Sequence, residues 1–371
     1  MTSNNIYIKE LDVSYNDQML EILRNSPMQT DDLDLYFDKS PDIFRINQLW
    51  SDRYKYYGIF VGEKLAGFGM HLKYSGYING TPKEISYLGN FYIDKQFRNR
   101  GLFKELSEYI LNGLYHDTAY GYCLVLEGNR AAQKYFTGRV NSLPSMPYYQ
   151  KIGTYETRNV LITRKKRENP KYSIRKACED DIPQILSMLQ QERSSRVLAP
   201  VIDQKMLKKR FGKNPDSGIL SYYLAFENQK MAGLCAAWEI SAIKRTRILK
   251  YKRKNLLIRL IYGMLAVVFQ YPDLPDTGEP LKEVYITDVA VNGNPDVFKD
   301  LLNRIYNDCL SNRYNLIYIG SYKGDPVLKA TESFFSTPIY ASIYFSAKDK
   351  NALEQKTLDC SKPLIDPALI G

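Results

Sequence analysis

At 371 residues the chain exceeds the usual size of a single hydrophobic core, and its ordinary apolar content predicts two folded domains. Cys123, Cys178, Cys235, Cys309 and Cys360 are odd in number and far apart, and His71 and His116 are the only histidines, so neither a disulfide framework nor a bound metal is expected. The net charge of +10 is mostly local: Ser241 to Leu260 holds Lys244, Arg245, Arg247, Lys250, Lys252, Arg253, Lys254 and Arg259 with no acid, while the remainder nearly balances, which speaks against a nucleic-acid partner.

Met1 to Asn5 lacks the basic segment and apolar run of a secretory signal, so a cytoplasmic protein is expected. Ile6 to Leu11 reads as a strand, and Met19, Leu20, Ile22 and Leu23 as the face of a helix. Prolines bracket an acidic, aromatic segment from Asp31 to Asp38, which reads either as a solvated connection or as the wall of a substrate pocket. Tyr57 to Val61, Ala66 to Tyr77 and Lys83 to Ile93 read as an antiparallel meander, separated by Gly62-Glu63-Lys64 and Asn79-Gly80-Thr81-Pro82.

The third strand runs into Arg98-Asn99-Arg100-Gly101, and the helix after it sets Leu102, Leu106, Tyr109, Ile110 and Leu114 on one face. A glycine turn from strand into helix leaves the first helical N–H groups unpaired at the positive end of the dipole. With arginine on both sides, this turn reads as a cradle for a polyphosphate. Tyr120 to Leu126 is a further strand, Glu127-Gly128-Asn129 breaks it, Arg130 to Phe136 is a short helix, and Tyr148 to Thr163 reads as a closing pair of strands.

In this setting, Ile93 to Phe103 resembles the acyl-CoA-binding motif of the GCN5-related N-acetyltransferase (GNAT) superfamily, and Asn129 with Ala132 resembles the start of that family's next helix. The resemblance spans roughly the first 165 residues. It implies acetyl-CoA or another acyl-CoA as donor, with the pyrophosphate on Arg98, Asn99, Arg100, Gly101, Leu102 and Phe103, the pantetheine arm along Phe91 and Ile93, and Asn129 beside it. It also implies a strand splayed from its neighbour, with the thioester in the gap and an amine approaching from the far side. Catalysis there is mostly positioning, helped by a base and an acid. A water held by Asn90, or Glu127, are the candidates for the base, with His71 as a further titratable group; His116 reads as a helix-end residue. Phe136 stands where many members carry a tyrosine acid, which leaves Tyr135, one residue earlier, as the candidate.

Lys165 to Pro170 reads as a linker, after which the pattern starts again. Tyr172 to Lys176, a helix through Ile185 and Leu189, strands at Ser221 to Phe226, Met231 to Ser241 and Val284 to Val291, a helix at Phe298 to Tyr306 and a strand at Leu316 to Ser321 make a second copy. Its turn, Asn292 to Val297, contains Pro295 and no arginine, a poor cradle. The expected fold class is therefore α/β with α+β character: two tandem GNAT-like domains, 1–165 and 170–348, each a largely antiparallel mixed sheet flanked by helices, the second degenerate, and a tail at 349–371.

The basic segment reads first as an ordinary strand and buried helix at the interdomain seam, then as a positive wall for an anionic substrate, and last as a membrane-surface contact, since Leu260 to Phe269 is too short to span a bilayer. The function expected is N-acyl transfer from acyl-CoA to a small-molecule or amino-acid-like amine. The alternative is a non-catalytic acyl-CoA or small-molecule binding protein on the same scaffold.

Overall fold

The computed structural model describes residues 5–29, 33–114, 118–140, 146–214, 218–348, 351, 353 and 359–369; His116 and Asp31 lie outside them. The first half runs β1 (Ile6–Leu11), α1 (Asn16–Asn25), β2 (Met28–Gln29), β3 (Leu33–Asp38), α2 (Arg45–Gln48), β4 (Tyr54–Val61), β5 (Lys64–Ile78), β6 (Thr81–Ile93), α3 (Leu102–Leu114), β7 (Tyr120–Leu126), α4 (Arg130–Lys134) and β8 (Tyr148–Leu161). The second runs β9 (Ser173–Lys176), α5 (Ile182–Ser194), α6 (Gln204–Arg210), β10 (Gly212–Asn214), β11 (Gly218–Glu227), β12 (Lys230–Glu239), β13 (Arg245–Tyr251), α7 (Arg253–Phe269), β14 (Glu283–Ala290), α8 (Pro295–Ser311), β15 (Leu316–Tyr322) and β16 (Ser336–Ala347).

Local chemistry accounts for the meander. Asn79 and Gly80 both adopt positive φ, 50° and 71°, as a two-residue turn between right-twisted strands requires. Asn228 and Gln229 do the same between β11 and β12, at 48° and 66°, without a glycine. Leu102, Leu106, Ile110 and Leu111 of α3 pack into the sheet, each burial contributing about 2 kcal/mol. Tyr109 departs from the expected face: it is 48 % exposed, its ring edge-on to Tyr57.

The sheets of the two halves are one. Its strand order is β1-β4-β5-β6-β7-β16-β8-β15-β14-β12-β11-β10, with β9 beside β11. Each half lends its last strand to the other: β16 lies between β7 and β8, and β8 continues the sheet to β15. Tyr148 to Thr163 is thus one 14-residue strand, Tyr148–Leu161, and not the expected pair. It is long because it is paired on both edges, with β16 from Tyr148 to Val160 and with β15 over Tyr155 to Leu161.

A second sheet, β13-β3-β2, fastens the halves together at another point. The acidic segment of the first half and the basic segment of the second are partners there. Asp38 meets Arg247 at 2.7 Å and Arg245 at 3.4 Å, and Asp34 pairs with Lys252. The expectation of a buried helix after this strand is corrected: α7 buries Tyr262 and Ala266 and exposes most of its apolar side chains. Apolarity alone could not say what covers them.

Candidate active site

The β6–β7 ladder, parallel from Ile85 opposite Tyr120 to Leu88 opposite Cys123, stops there although both strands continue. Beyond it β6 stays with β5 and β7 stays with β16, so the two diverge and open a gap between Gly89–Ile93 and Leu124–Leu126. A β-bulge drives the divergence. Phe68 opposes Tyr92 but Met70 opposes Gly89, so β6 carries an extra residue, and Asn90 takes it up at φ 53°. Asn90 reaches Met70 Sδ (3.8 Å) while Phe91 meets Phe103 of α3, so the two bound the gap from opposite sides. Gly69 leaves room for the Phe91 ring; a Cβ there would stand 2.5 Å from it.

On the Phe91 face lies the turn from Arg98 to Gly101. Asp94 accepts from the Gln96 N–H (3.0 Å), and Asn99 and Gly101 take positive φ, 65° and 79°, before Leu102 starts α3. Lys104 and Glu105 both donate to the Gly101 carbonyl, so the N–H groups ahead of them lie at the open end of the helix. Arg98, Asn99, Arg100 and Gly101 are exposed, and no atom outside the turn comes within 4 Å of a Cβ placed on Gly101. Arg98 Nε donates to the Ile93 carbonyl (3.1 Å) and Arg100 lies 5.4 Å over the Phe97 ring, which holds both guanidinium groups beside the turn. Leu102 is buried, so its side chain belongs to the core and only its backbone faces the cradle.

Phe103 fills the inner side of this face, edge-on to Phe91 (5.4 Å) and to Tyr135 (5.3 Å). Asn129 caps α4 by accepting from the Ala132 N–H (3.1 Å), which leaves its amide N–H groups outward. After α4 the helix widens to a π segment, Tyr135–Arg139, so the usual 100° spacing does not apply. Tyr135 is buried, its hydroxyl 2.7 Å from Ser107 Oγ on α3, and Phe136 packs among Tyr149 and Tyr344. Glu127 stands exposed at the end of β7, its N–H bonded to the Tyr340 carbonyl. His71 is buried beside Tyr57 on β5.

On the Asn90 face the structure supplies a residue that the sequence did not single out. Lys39, directly after β3, is 2 % exposed, and its Nζ donates to Asn90 Oδ1 at 3.0 Å. Burial pushes its ammonium down to about 7, and the positive charge of Lys244, also buried, adds to the effect. Tyr56, which accepts from Asn47 Nδ2 at 2.8 Å, belongs to the same buried polar group; burial raises its phenol above the ordinary range. Nothing in the sequence distinguishes Lys39 from the other lysines, because its burial follows from the β3–β13 pairing.

Residues 17–141 match the family model of the acetyltransferase (GNAT) family. The match runs from α1 past α4 and falls on the lobe that carries the turn at Arg98 to Gly101. No curated protein sequence matches the chain. Among solved structures, a Saccharomyces cerevisiae N-myristoyltransferase with bound myristoyl-CoA shares the fold with a TM-score of 0.60 at 14 % identity, over 93 % of this chain and 83 % of that one. A second structure of that yeast protein with myristoyl-CoA gives 0.59 at 14 %, over 94 % and 80 %. The two-lobed arrangement as a whole is thus a GNAT fold.

The second lobe repeats the first closely. Its parallel ladder runs from Glu283 opposite Leu316 to Ile286 opposite Ile319, and its bulge residue, Asp288, takes φ 52°. Ile85 to Asn90 and Glu283 to Asp288 are the same step, so Asp288 is the counterpart of Asn90. Here the gap is closed. Asp288 is held by Arg193 and the Tyr222 hydroxyl, with Arg210 at 3.6 Å, and the carboxy-terminal segment enters as Asp366 pairs with Thr287 and the Ala368 carbonyl accepts from Lys244 (3.2 Å). What remains is a cavity of about 50 Å³ lined by Arg193, Asp288 and Asp366, room for a few waters. At the second turn Asn294 caps α8 by accepting from the Asp296 N–H (3.0 Å), and Pro295 follows. Among the described residues no three His, Cys, Asp or Glu side chains cluster as metal ligands.

Proposed function

We propose that the protein is an acyl-CoA-dependent N-acyltransferase that transfers its acyl group directly to the amine of a small, amino-acid-like molecule. The observation that carries this reading is the arrangement about the β6–β7 gap: an open phosphate turn with two arginines on the Phe91 face, and the Lys39–Asn90 pair on the other. In this reading the turn from Arg98 to Phe103 holds the pyrophosphate, with Asn129 beside it, the backbone at Phe91 and Ile93 guides the pantetheine arm, and the thioester enters the gap. The fold shared with a yeast protein crystallised with myristoyl-CoA supports testing long donors beside acetyl-CoA.

The acceptor comes from the Lys39 side. When neutral, Lys39 directs an N–H at Asn90 Oδ1 and keeps its lone pair for the proton of the incoming ammonium, directly or through a water on Asn90. The free amine attacks the thioester carbon, and the C–N bond forms as the C–S bond breaks. The departing thiolate takes a proton from the Tyr135 hydroxyl, whose oxyanion accepts from Ser107 Oγ, and the second proton shed by the acylated nitrogen, carried by water, restores the phenol. Glu127, at the mouth of the gap, serves to pass the proton to solvent. The rival reading, a non-catalytic acyl-CoA binder, draws on the engagement of Tyr135 by Ser107.

Calorimetric titration of the whole chain with acetyl-, octanoyl- and myristoyl-CoA tests the donor half. At least one should bind, and Arg98→Ala with Arg100→Ala should weaken it by about tenfold or more. Failure of every donor to bind contradicts the reading; binding without thiol release on any amine leaves the rival.

A further inference from the structure

Helix α7 follows the base-rich strand β13 and buries only a narrow strip. Tyr262, whose hydroxyl lies between the carbonyls of Ile162 (3.1 Å) and Pro272 (2.8 Å), and Ala266 form that strip, while Arg259 pairs with Asp276 at 3.0 Å along its edge. From Leu256 to Phe269 every remaining side chain of the helix is apolar and exposed. Leu257, Leu260, Met264, Val267, Val268 and Phe269 are between 59 and 81 % exposed. At about 100° per residue, the exposed positions from Leu256 to Phe269 fan over roughly 220° of the helix, about twice the stripe with which a helix faces a protein core.

The surroundings of the helix are positive. Lys252 before it is engaged by Asp34, but Arg253 and Lys254 open the helix and no acid occurs in sequence from Ser241 to Pro272. Lys250 on β13 is exposed, as are Arg164, Lys165 and Arg167, which follow the Ile162 that Tyr262 reaches. Asp273 and Asp276, in the segment after the helix, are already engaged by Arg313 and Arg259.

We propose that α7 is an in-plane anchor that docks the protein on an anionic lipid bilayer, with its apolar arc among the acyl chains and the flanking bases against the headgroups. An arc this broad is wider than one partner helix covers, whereas lipid wets all of it. A second copy packed across a twofold axis would set the same acid-free, base-rich segment against itself. At about 1.5 Å per residue the 17-residue helix is too short to cross a hydrocarbon core, and no described helix is long and apolar enough to do so. The anchor lies in the plane of the interface, its most exposed end at Val267 to Phe269.

The test is flotation of the full chain, without acyl-CoA, on phosphatidylcholine vesicles with and without phosphatidylglycerol. The protein should float with the anionic vesicles, about tenfold more than with neutral ones, and high salt should reduce the difference. Leu260→Glu with Val268→Glu should lower binding by more than about tenfold at unchanged Tm, since both side chains are exposed. Tryptophan fluorescence of a Phe269→Trp variant should shift to the blue on anionic vesicles and be quenched by brominated acyl chains. No flotation of the wild type, flotation unaffected by the glutamates, or a lipid-free dimer that the glutamates dissociate would each overturn the proposal. Because no donor or acceptor is present, failure here is separate from failure of the acyltransferase reading.

Discussion

Lys39, directly after β3 of one sheet, donates from Nζ to Oδ1 of Asn90, in β6 of the other, at 3.0 Å, which joins the β3–β13 clasp to the bulge at which β6 leaves β7. If Lys39 is the base, it must be neutral to act. Its value of about 7 then sets the pH profile: kcat/KM should rise with unit slope below pH 7 and level off above it. Lys39→Met should lower kcat by about 10²- to 10³-fold and abolish the inflection, with donor affinity preserved. A profile set only by the amine of each acceptor would assign the proton to solvent.

The same burial affects stability in the opposite direction. Lys39 has its folded value below the ordinary 10.5, so between about pH 7 and 10.5 the unfolded chain holds a proton that the folded chain lacks. Stability from this group therefore rises with pH across that window, and below pH 7 the cost of the buried charge is present in full. Lys39→Met should raise Tm, more at pH 6 than at pH 9, as thermal unfolding at the two pH values would reveal.

Which parts of this were legible in the sequence follows from where each interaction originates. The turn at Asn79-Gly80, the phosphate turn ending in Gly101 and the meander are local, set by positive φ and alternation, and they stand where those signals put them. The exchange of β8 and β16 is not local. Both strands alternate equally well, and nothing in Tyr148–Leu161 tells it to pair with a strand almost two hundred residues later. The basic segment around Arg247 reads first as a seam strand and the acidic one ending at Asp38 as a connection or pocket wall, but opposite charge does not say which segments meet across so long a separation. Lys39 was invisible for the same reason. The apolar character of α7 was plain, but apolar residues look alike whether protein or lipid covers them.

The phosphate turn makes a sharper prediction through Gly101. At φ 79° a Cβ is strained although space is free, so Gly101→Ala should cost about 1–2 kcal/mol locally. If the turn relaxes to avoid this strain, its N–H groups lose alignment. Donor affinity should fall by about tenfold, while the global Tm moves by only a few degrees, as calorimetry and thermal melts on one variant would establish.

In the second lobe, burial alone would raise the Asp288 carboxyl, but Arg210 and Arg193 outweigh it and hold it below its ordinary value. Its contribution is complete above pH 3.8 and is lost as pH falls through the lower folded value. Asp288→Ala, which leaves two guanidinium groups buried without their carboxylate, should destabilise by about 3–5 kcal/mol by urea unfolding. Asn90→Ala at the equivalent position of the first lobe breaks no ion pair and should cost far less.

The central claim is that Lys39, Asn90 and the turn from Arg98 to Phe103 serve one transfer reaction across the β6–β7 gap. Its most direct test is free-thiol release by the whole chain, with the donor that binds tightest, across a panel of small amines and amino acids. The wild type should release thiol in step with N-acylated product for at least one amine, and Lys39→Met should bind the donor normally but release thiol at least about a hundredfold more slowly. Equal rates for wild type and Lys39→Met, with product formed by both, would contradict it.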